Sequence, residues 1–182
     1  IAPTIASYSP DLIVWSYEGA YLNKKALCLL PELEKRTDAL VIGNGLTKQP
    51  QVLAVAKEII SMWGKKIVID ADAIMPGLSP ASKQVVYTPH AVEFERLSGN
   101  KPSGKLSMRT KQVASLASSL DATVLLKGAT DVASDGSTTY LNKTGNAGMT
   151  AGGTGDTLAG VCTAFLAQGM EPVGAAAAAA FV

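Results

Sequence analysis

The sequence contains the run Asp38-Ala39-Leu40-Val41-Ile42-Gly43-Asn44-Gly45, in which a continuous apolar segment ends at two closely spaced glycines. Apolar residues then recur at helical spacing from Val52 to Trp63, and Gly64 follows them. A second apolar run, Lys66-Ile67-Val68-Ile69-Asp70, comes directly afterwards. A strand, a helix and a strand in this order form the unit from which parallel sheets are built. We therefore predict a βαβ unit across residues 38–70.

The same alternation continues along the chain. We predict strands at 85–88 and 122–126, helices at 93–97, 107–120 and 157–168, and a hairpin that joins 132–134 to 137–141 through Asp135-Gly136. Strands that are apolar throughout are typical of sheets whose two faces are both covered. The pattern therefore predicts an α/β fold with a doubly wound, mostly parallel sheet, helices on both faces and a late β-hairpin.

Three further segments complete the prediction. We expect a short strand at residues 12–15, and a helix at 26–36 that Pro31 interrupts. The Ala-rich run 175–180 indicates a tightly packed helix rather than a functional tract. Because the chain starts without Met and stops within that run, we expect one domain over residues 1–182 that is incomplete at both ends.

Composition and charge exclude several classes of function. The chain has 182 residues, of which 47% are hydrophobic and 17% charged, and its net charge is +1. Such a balance provides no overall field that would attract nucleic acid or an anionic membrane. No apolar run reaches the roughly 18 residues of a transmembrane helix, and no signal peptide is visible. We expect a cytoplasmic protein that binds neither nucleic acid nor membrane.

Polar and glycine residues follow the predicted strands at the points where those strands end. The four places are Gly43 to Gly45, Asp70 to Asp72, Thr88 to Glu93, and Lys127-Gly128. In open α/β sheets, ligands bind beyond the carboxyl ends of the strands. The sequence therefore predicts a ligand site at this edge of the sheet.

The strongest signal for chemistry is the glycine-rich stretch from Met149 to Gly160, with Gly152-Gly153-Thr154-Gly155-Asp156 at its centre. Glycines let the backbone approach an anion closely, and the helix that follows directs its positive end to the same place. A carboxylate held there beside bound phosphate is suited to removing a proton from an attacking hydroxyl. The stretch therefore indicates phosphoryl transfer with Asp156 as the base.

A purely structural role for this stretch stays open, in which Asp156 caps the helix. Two other phosphate-binding loops are excluded. The stretch has no Gly-Lys-Ser/Thr ending, so it is no Walker loop. No parallel strand leads directly into it, so it is no dinucleotide fingerprint.

The stretch Gly152 to Asp156 resembles the Gly-x-Gly-Asp signature of the ribokinase superfamily. Four more segments, in the same order along the chain, make the sequence similar to the NAD(P)H-hydrate dehydratase family. They are Val41-Ile42-Gly43-Asn44-Gly45-Leu46, Val68-Ile69-Asp70-Ala71-Asp72-Ala73, Thr88-Pro89-His90-Ala91-Val92-Glu93-Phe94-Glu95-Arg96-Leu97, and Leu125-Leu126-Lys127-Gly128-Ala129-Thr130. The resemblance implies a ribokinase-like fold and covers nearly the whole chain.

The resemblance also implies an activity. Members of this family repair nicotinamide cofactors by dehydrating (6S)-NAD(P)H hydrate to NAD(P)H, and they are lyases. They use ADP, or ATP in eukaryotic relatives, together with Mg²⁺ to phosphorylate the ring hydroxyl, after which phosphate leaves. The family resemblance further implies a homo-oligomer and a fused or partner NAD(P)H-hydrate epimerase.

By the same resemblance, Asp156 is the catalytic base and also contacts the substrate. Gly153, Thr154 and Gly155 would form the anion hole for the transferring phosphoryl group. Gly45 and His90 would bind the NAD(P)H hydrate. The alternative for His90, the only histidine in the chain, is a loop residue with its hydrogen bonds satisfied.

The nucleotide side of the site is implied in the same way. The predicted nucleotide-binding residues are Lys127, Gly128, Ala129, Thr130, Asp131 and Gly155. Glu93 would order Mg²⁺ through water, since His90-x-x-Glu93 stands where the superfamily has Asn-x-x-Glu. Alternatively, Glu93 is only an acidic residue in the first turn of a helix, where the helix dipole favours it. In the same way, the Lys127 side chain would serve only to extend its ammonium into water at the end of a strand. Asp70 and Asp72 would order magnesium and phosphate or cap the next turn, and the cap is slightly favoured.

The sequence departs from the family at two loops. The family usually has Gly-Pro-Gly-Leu-Gly where this chain has Gly43-Asn44-Gly45-Leu46-Thr47, and it usually has Gly in place of Val92. Both departures lie in substrate loops and concern affinity or the exact substrate. Two other functions also stay open. One is a vitamin-precursor or sugar kinase of the same superfamily, and the other is a nucleotide-binding domain without catalysis.

Overall fold

The computed structural model describes residues 2–182 and contains a six-stranded sheet flanked by helices. The strands are β1 (Ala39–Ile42), β2 (Lys66–Ile69), β3 (Val85–Tyr87), β4 (Thr123–Leu126), β5 (Asp131–Ser134) and β6 (Thr139–Asn142). The helices are α1 (Ala2–Ala6), α2 (Leu30–Arg36), α3 (Pro50–Met62), α4 (Ala91–Ser98), α5 (Leu106–Leu120), α6 (Thr154–Ala167) and α7 (Pro172–Phe181). Short 3₁₀ turns occupy Lys24–Leu29, Ala71–Ala73 and Ala147–Thr150.

The strands lie in the sheet in their chain order, from β1 to β6. The first four strands run parallel, with Leu40 opposite Ile67 and Val68 opposite Val86. β5 and β6 are antiparallel additions, joined by the turn at Asp135 and Gly136. This arrangement confirms the predicted mostly parallel sheet and the late hairpin.

Side chains alternate across each strand, so the sheet has two buried faces. Ile67, Ile69, Tyr87 and Val124 face the core beneath α3, α4 and α5, whereas Val68 faces the opposite layer. That second layer consists of α6 and α7. Helices therefore cover both faces, as predicted, and all the helices that connect parallel strands lie on the first face.

The helix α7 owes its close packing to its small side chains. Ala175, Ala176, Ala179 and Ala180 are buried, and they pack against α6 and the central strands. The Ala-rich run is thus part of a tightly packed helix, as expected from the sequence. No helix in residues 2–182 is long and apolar enough to cross a membrane.

The predicted strand at residues 12–15 is wrong, because this segment has no regular secondary structure. Leu12 and Ile13 are exposed, and no sheet edge is paired with them. The guanidinium of Arg36 instead lies 5.4 Å from the ring centre of Trp15. The predicted helix at 26–36 is divided into a 3₁₀ turn and α2, with Pro31 in the first turn of α2, where its missing N–H costs little.

Candidate active site

Asp70 lies at the centre of the carboxyl edge of the sheet, directly after β2. Its side chain is 2% exposed and accepts three hydrogen bonds. Thr88 Oγ1 and Lys127 Nζ both donate to Asp70 Oδ1, at 2.7 and 2.9 Å, and Asn44 Nδ2 donates to Oδ2 at 2.9 Å. Asp70 begins a 3₁₀ turn but makes no side-chain cap bond there, so the slightly favoured capping role is wrong for this residue. Its carboxylate instead joins the ends of β1, β2, β3 and β4.

Asp156 lies in the first turn of α6, close to this cluster. The N-cap of α6 is Gly153, whose φ of +92° favours glycine, and no side chain caps the helix. The Asp156 carboxylate does not turn back to the helix end. Its Oδ1 accepts a hydrogen bond of 2.6 Å from Asn44 Nδ2. The helix-cap alternative is therefore wrong for Asp156, and the sheet edge and α6 meet at this carboxylate.

The glycine-rich loop before Asp156 leaves space beside its backbone. A Cβ added at Gly152 or Gly153 would meet no atom within 4 Å. A Cβ at Gly155 would lie 3.4 Å from Lys127 Nζ. The Thr154 hydroxyl lies 2.7 Å from Met149 O and 2.8 Å from Ala151 O, which holds the loop in shape. An anion in this space would meet the first-turn amides of α6 and the ammonium of Lys127.

His90 and Glu93 together cap α4. His90 Nδ1 accepts from the backbone N–H groups of Val92 and Glu93, at 3.1 and 3.3 Å. Glu93 Oε2 accepts from the His90 backbone N–H at 2.8 Å, which completes a capping box. His90 Nε2 lies 3.2 Å from Glu93 Oε1, and the imidazole is 54% exposed. Both residues thus have a structural role at this strand end, and their ligand roles stay predictions.

Residues 127–131 form a turn between β4 and β5. The Lys127 backbone N–H donates to Pro89 O at 2.9 Å, and the Gly128 N–H donates to Asp131 Oδ1 at 2.9 Å. Asn142 Nδ2 donates to Asp131 Oδ2 at 3.1 Å. The Lys127 side chain is 19% exposed and forms an ion pair with Asp70, so its ammonium is not simply extended into solvent. Gly128 and Ala129 are exposed on this turn.

The structure thus brings together Asp156, Lys127 and Gly155 from the predicted site. It also adds Asn44 and Thr88, whose hydrogen bonds were not predicted. The sequence places Asn44 at a predicted ligand-binding strand end and as a departure from the family, without indicating its partners. Gly45, with φ of +69° and no atom within 4 Å of an added Cβ, lies next to Asn44 with open space around it.

The family model and the relatives found by sequence agree on one family. The family model described as NAD(P)H-hydrate dehydratase matches residues 2–182. A bifunctional NAD(P)H-hydrate repair enzyme from Pyrobaculum aerophilum is 42% identical over 190 residues, covering 100% of this chain and 38% of the relative. An ADP-dependent (S)-NAD(P)H-hydrate dehydratase from Nitrosopumilus maritimus is 41% identical, covering 97% of this chain and 63% of the relative. The chain therefore spans less than two thirds of the length of these two relatives.

Solved structures give the same result for the fold. The ADP/ATP-dependent NAD(P)H-hydrate dehydratase from Bacillus subtilis, co-crystallised with ATP and Mg²⁺, matches with a TM-score of 0.77 and 26% identity. The match covers 98% of this chain and 64% of that one. A Streptococcus mutans protein matches with a TM-score of 0.81 at 23% identity, which supports the ribokinase-like fold alone. From the family model and these relatives, the chain belongs to the NAD(P)H-hydrate dehydratase family.

Proposed function

We propose that this chain carries the active site of an ADP- or ATP-dependent dehydratase that converts (6S)-NAD(P)H hydrate to NAD(P)H. The observation that carries this proposal is the position of Asp156. Its carboxylate lies in the first turn of α6, next to a glycine loop with open space and in the same cluster as Lys127. A base, a cation and free backbone amides are the groups that transfer of a phosphoryl group to a hydroxyl requires.

In the first step, Asp156 takes the proton from the hydroxyl of the hydrated nicotinamide ring. The hydroxyl oxygen then bonds to the terminal phosphorus of ADP or ATP, and the bond from that phosphorus to the bridging oxygen breaks. The departing nucleotide is one phosphoryl group shorter. Asp156 Oδ1 is occupied by Asn44, so Oδ2 is the oxygen left for this proton.

In the second step, phosphate leaves the ring carbon with the electron pair of the C–O bond. The ring nitrogen supplies electrons to that carbon, and the neighbouring ring carbon loses a proton to water as the double bond forms. The protein's contribution is to hold two anionic ligands in place and to offset their charge. Lys127 and the amides of Gly153, Thr154 and Gly155 would carry out this role.

The nucleotide would extend from this loop along the turn at 127–131. A groove beside that turn is lined by Leu125, Tyr140, Asn142 and Phe181. Tyr140 is 47% exposed and Phe181 is 68% exposed, so aromatic faces are available to an adenine ring. The two exposed aromatic side chains beside this groove support adenine nucleotide as the phosphoryl donor.

Magnesium fits this site as a companion of the nucleotide. Within residues 2–182, no group of three His, Cys, Asp or Glu side chains could hold a metal ion. Mg²⁺ is commonly held by substrate phosphates and one or two carboxylates, and it keeps several waters. When bound, the ion would offset phosphate charge, and Glu93 would hold one of its waters.

The experiment that tests this function follows NADH absorbance. Chemically hydrated NADH is mixed with ADP or ATP and Mg²⁺, and the intact protein is compared with Asp156→Asn. We expect the wild type to restore NADH absorbance and release phosphate. We expect Asp156→Asn to reduce kcat by about 10²- to 10⁴-fold while nucleotide binding stays close to wild type, as for loss of a general base.

The matched control is Asp135→Asn, in the β5–β6 turn at the opposite end of the strands from Lys127. It should retain wild-type turnover. Activity of Asp156→Asn close to wild type would refute the role of Asp156. A phosphorylated product that accumulates without NADH recovery would instead identify a small-molecule kinase. Nucleotide binding with neither signal would identify a binding domain.

Three features of the whole protein belong to the same proposal. A site that accepts one epimer of the hydrate needs an enzyme that interconverts the two, and several relatives are named bifunctional NAD(P)H-hydrate repair enzymes. We therefore expect a fused or partner epimerase. We also expect the protein to be cytoplasmic and to form a homo-oligomer. Size-exclusion chromatography of the intact protein would test the oligomeric state.

A further inference from the structure

Asn44 connects the two carboxylates of the candidate site. Its Nδ2 donates to Asp156 Oδ1 at 2.6 Å and to Asp70 Oδ2 at 2.9 Å. An amide nitrogen carries two hydrogens, so each carboxylate receives one of them. Both neighbours are acceptors when ionised, which determines that the NH₂ group, and not the carbonyl oxygen, faces them.

One end of this connection is fixed. Asp70 is 1% exposed, and its other oxygen is held by Thr88 and Lys127. Because the Asp70 carboxylate cannot move without breaking those bonds, it anchors the Asn44 amide. The amide in turn determines where the Asp156 carboxylate lies.

The other end would be free to move without Asn44. Asp156 is in the first turn of α6, where the backbone amides and the positive helix end attract a carboxylate. Gly153 provides no side-chain cap that would compete for those amides. Asn44 holds the carboxylate away from them, toward the ends of β1 and β2.

The loop that carries Asn44 is shaped for this role. Gly43 has φ of +128° and Gly45 has φ of +69°, and the Leu46 N–H donates to Gly43 O at 3.3 Å. Positive φ at the third residue, with this hydrogen bond, is the pattern of a type II turn, whose second position favours Pro. Proline, which the family usually has at this position, fits the same turn but has no side-chain donor.

We propose that Asn44 is a positioning residue of this chain, which holds the Asp156 carboxylate for proton removal by linking it to buried Asp70. This inference rests on the proposed role of Asp156 as the base. One Asp156 oxygen accepts from the amide, which leaves the other to take the proton of the substrate hydroxyl. A chain with Pro at this position must orient its base by other contacts.

The kinetic test uses Asn44→Leu, which removes both donors at similar size, and Asn44→Pro, which preserves the turn. The intact protein is assayed with hydrated NADH, ADP and Mg²⁺. We expect kcat to fall by about 10- to 100-fold while KM for both substrates changes by less than about threefold, because misplacing a base affects the transition state. In an Asp156→Asn background, Asn44→Leu should cause no further loss, since the two residues act as a unit.

The control is Asn100→Leu, at an exposed asparagine after α4, and it should leave kcat unchanged. A kcat within twofold of wild type in both Asn44 variants would overturn the proposal. A rise in KM with kcat unchanged would also overturn it, because Asn44 would then bind substrate directly.

Crystal structures of the wild type and Asn44→Leu provide a test that does not depend on activity. We expect the Asp156 carboxylate of the variant to turn back to the first-turn amides of α6. A carboxylate that stays in its wild-type position would overturn the proposal. If the wild type fails to regenerate NADH, the proposed function is wrong, whereas the crystallographic comparison still decides whether Asn44 positions Asp156.

Discussion

Asp70 shows how a single residue can connect several strands. A carboxylate on a side chain that is 2% exposed is costly to bury unless its oxygens are bonded and its charge is offset. Lys127 offsets the charge at 2.9 Å, while Thr88 and Asn44 satisfy further lone pairs. The ion pair therefore compensates the burial of the Asp70 carboxylate, and it also holds an ammonium beside the glycine-rich loop.

Removing the cation from this pair should destabilise the protein. We predict that Lys127→Met lowers the free energy of unfolding by about 2–3 kcal/mol, because it leaves a buried carboxylate without its counter-charge. This is below the loss for fully buried pairs, since the lysine side chain is 19% exposed and partly screened by water. Urea denaturation would measure the change.

The matched control is Lys143→Met, because Lys143 is exposed on the chain after β6. It should change the free energy of unfolding by less than about 0.5 kcal/mol. If Lys127→Met were as stable as this control, the Lys127–Asp70 pair would contribute no net stability.

These contacts set a limit on what the sequence could predict at the residue scale. Asp156 and Lys127 were predicted as site residues because they lie in recognisable segments. The central role of Asp70 could not be predicted, since its three partners come from three other strand ends. Which partner donates to which Asp70 oxygen depends on the distances between the strand ends. Those distances cannot be read from the sequence.

At the scale of the secondary-structure elements, the ends of β1 and β2 approach each other very closely. Gly43 has φ of +128°, and a Cβ at this position would lie 1.7 Å from the carbonyl oxygen of Asp70. Only glycine permits this approach. It places Asn44 directly beside Asp70.

We predict that Gly43→Ala prevents the intact protein from folding stably. The new Cβ would overlap backbone, which cannot shift without separating β1 from β2. Gly45→Ala is the matched comparison, since φ is +69° but no atom lies within 4 Å of the added Cβ. That variant should lose only about 1–2 kcal/mol, the cost of a left-handed conformation for a non-glycine residue. Circular dichroism during thermal unfolding would distinguish them, and equal melting temperatures would show that the clash is relieved elsewhere.

Elements with clear boundaries were predictable. Gly99 ends α4 in a left-handed conformation, and the Asp135-Gly136 turn joins β5 to β6, both as the sequence indicates. The strand predicted at residues 12–15 failed because an apolar run becomes a strand only when a neighbouring strand accepts its hydrogen bonds. Residues 12–15 pair with none of the six strands of the sheet.

At the scale of the whole molecule, the site lies where two layers meet. The sheet contributes Asn44, Asp70 and Lys127, whereas Asp156 comes from α6 in the layer across the second face. The distance between α6 and the sheet therefore determines whether Asp156 reaches Asn44. α6 packs directly on β1 and β2, and α7 packs beside it against the later strands through alanines, so a change in α7 can displace α6.

Enlarging a buried alanine of α7 should therefore affect both stability and catalysis. We predict that Ala176→Leu lowers the free energy of unfolding by about 1–3 kcal/mol, because the close-packed layer has no room for three more carbons. If the helices move away from the sheet to relieve the overlap, the Asp156–Asn44 bond lengthens. A shift near 1 Å can reduce turnover by about 10²-fold. Urea denaturation would measure the change in stability. The value of kcat, measured well below the melting temperature, would measure the change in turnover.

The comparison variant is Ala178→Leu, on the same helix but at a position that is only partly buried. It should be tolerated with little change in either quantity. An Ala176→Leu protein that is less stable but turns over at the wild-type rate would show that α7 supports the fold without setting the position of Asp156. A parallel loss of stability and of kcat, absent in Ala178→Leu, would show that the alanine packing on one face of the sheet sets the geometry of the site at its edge.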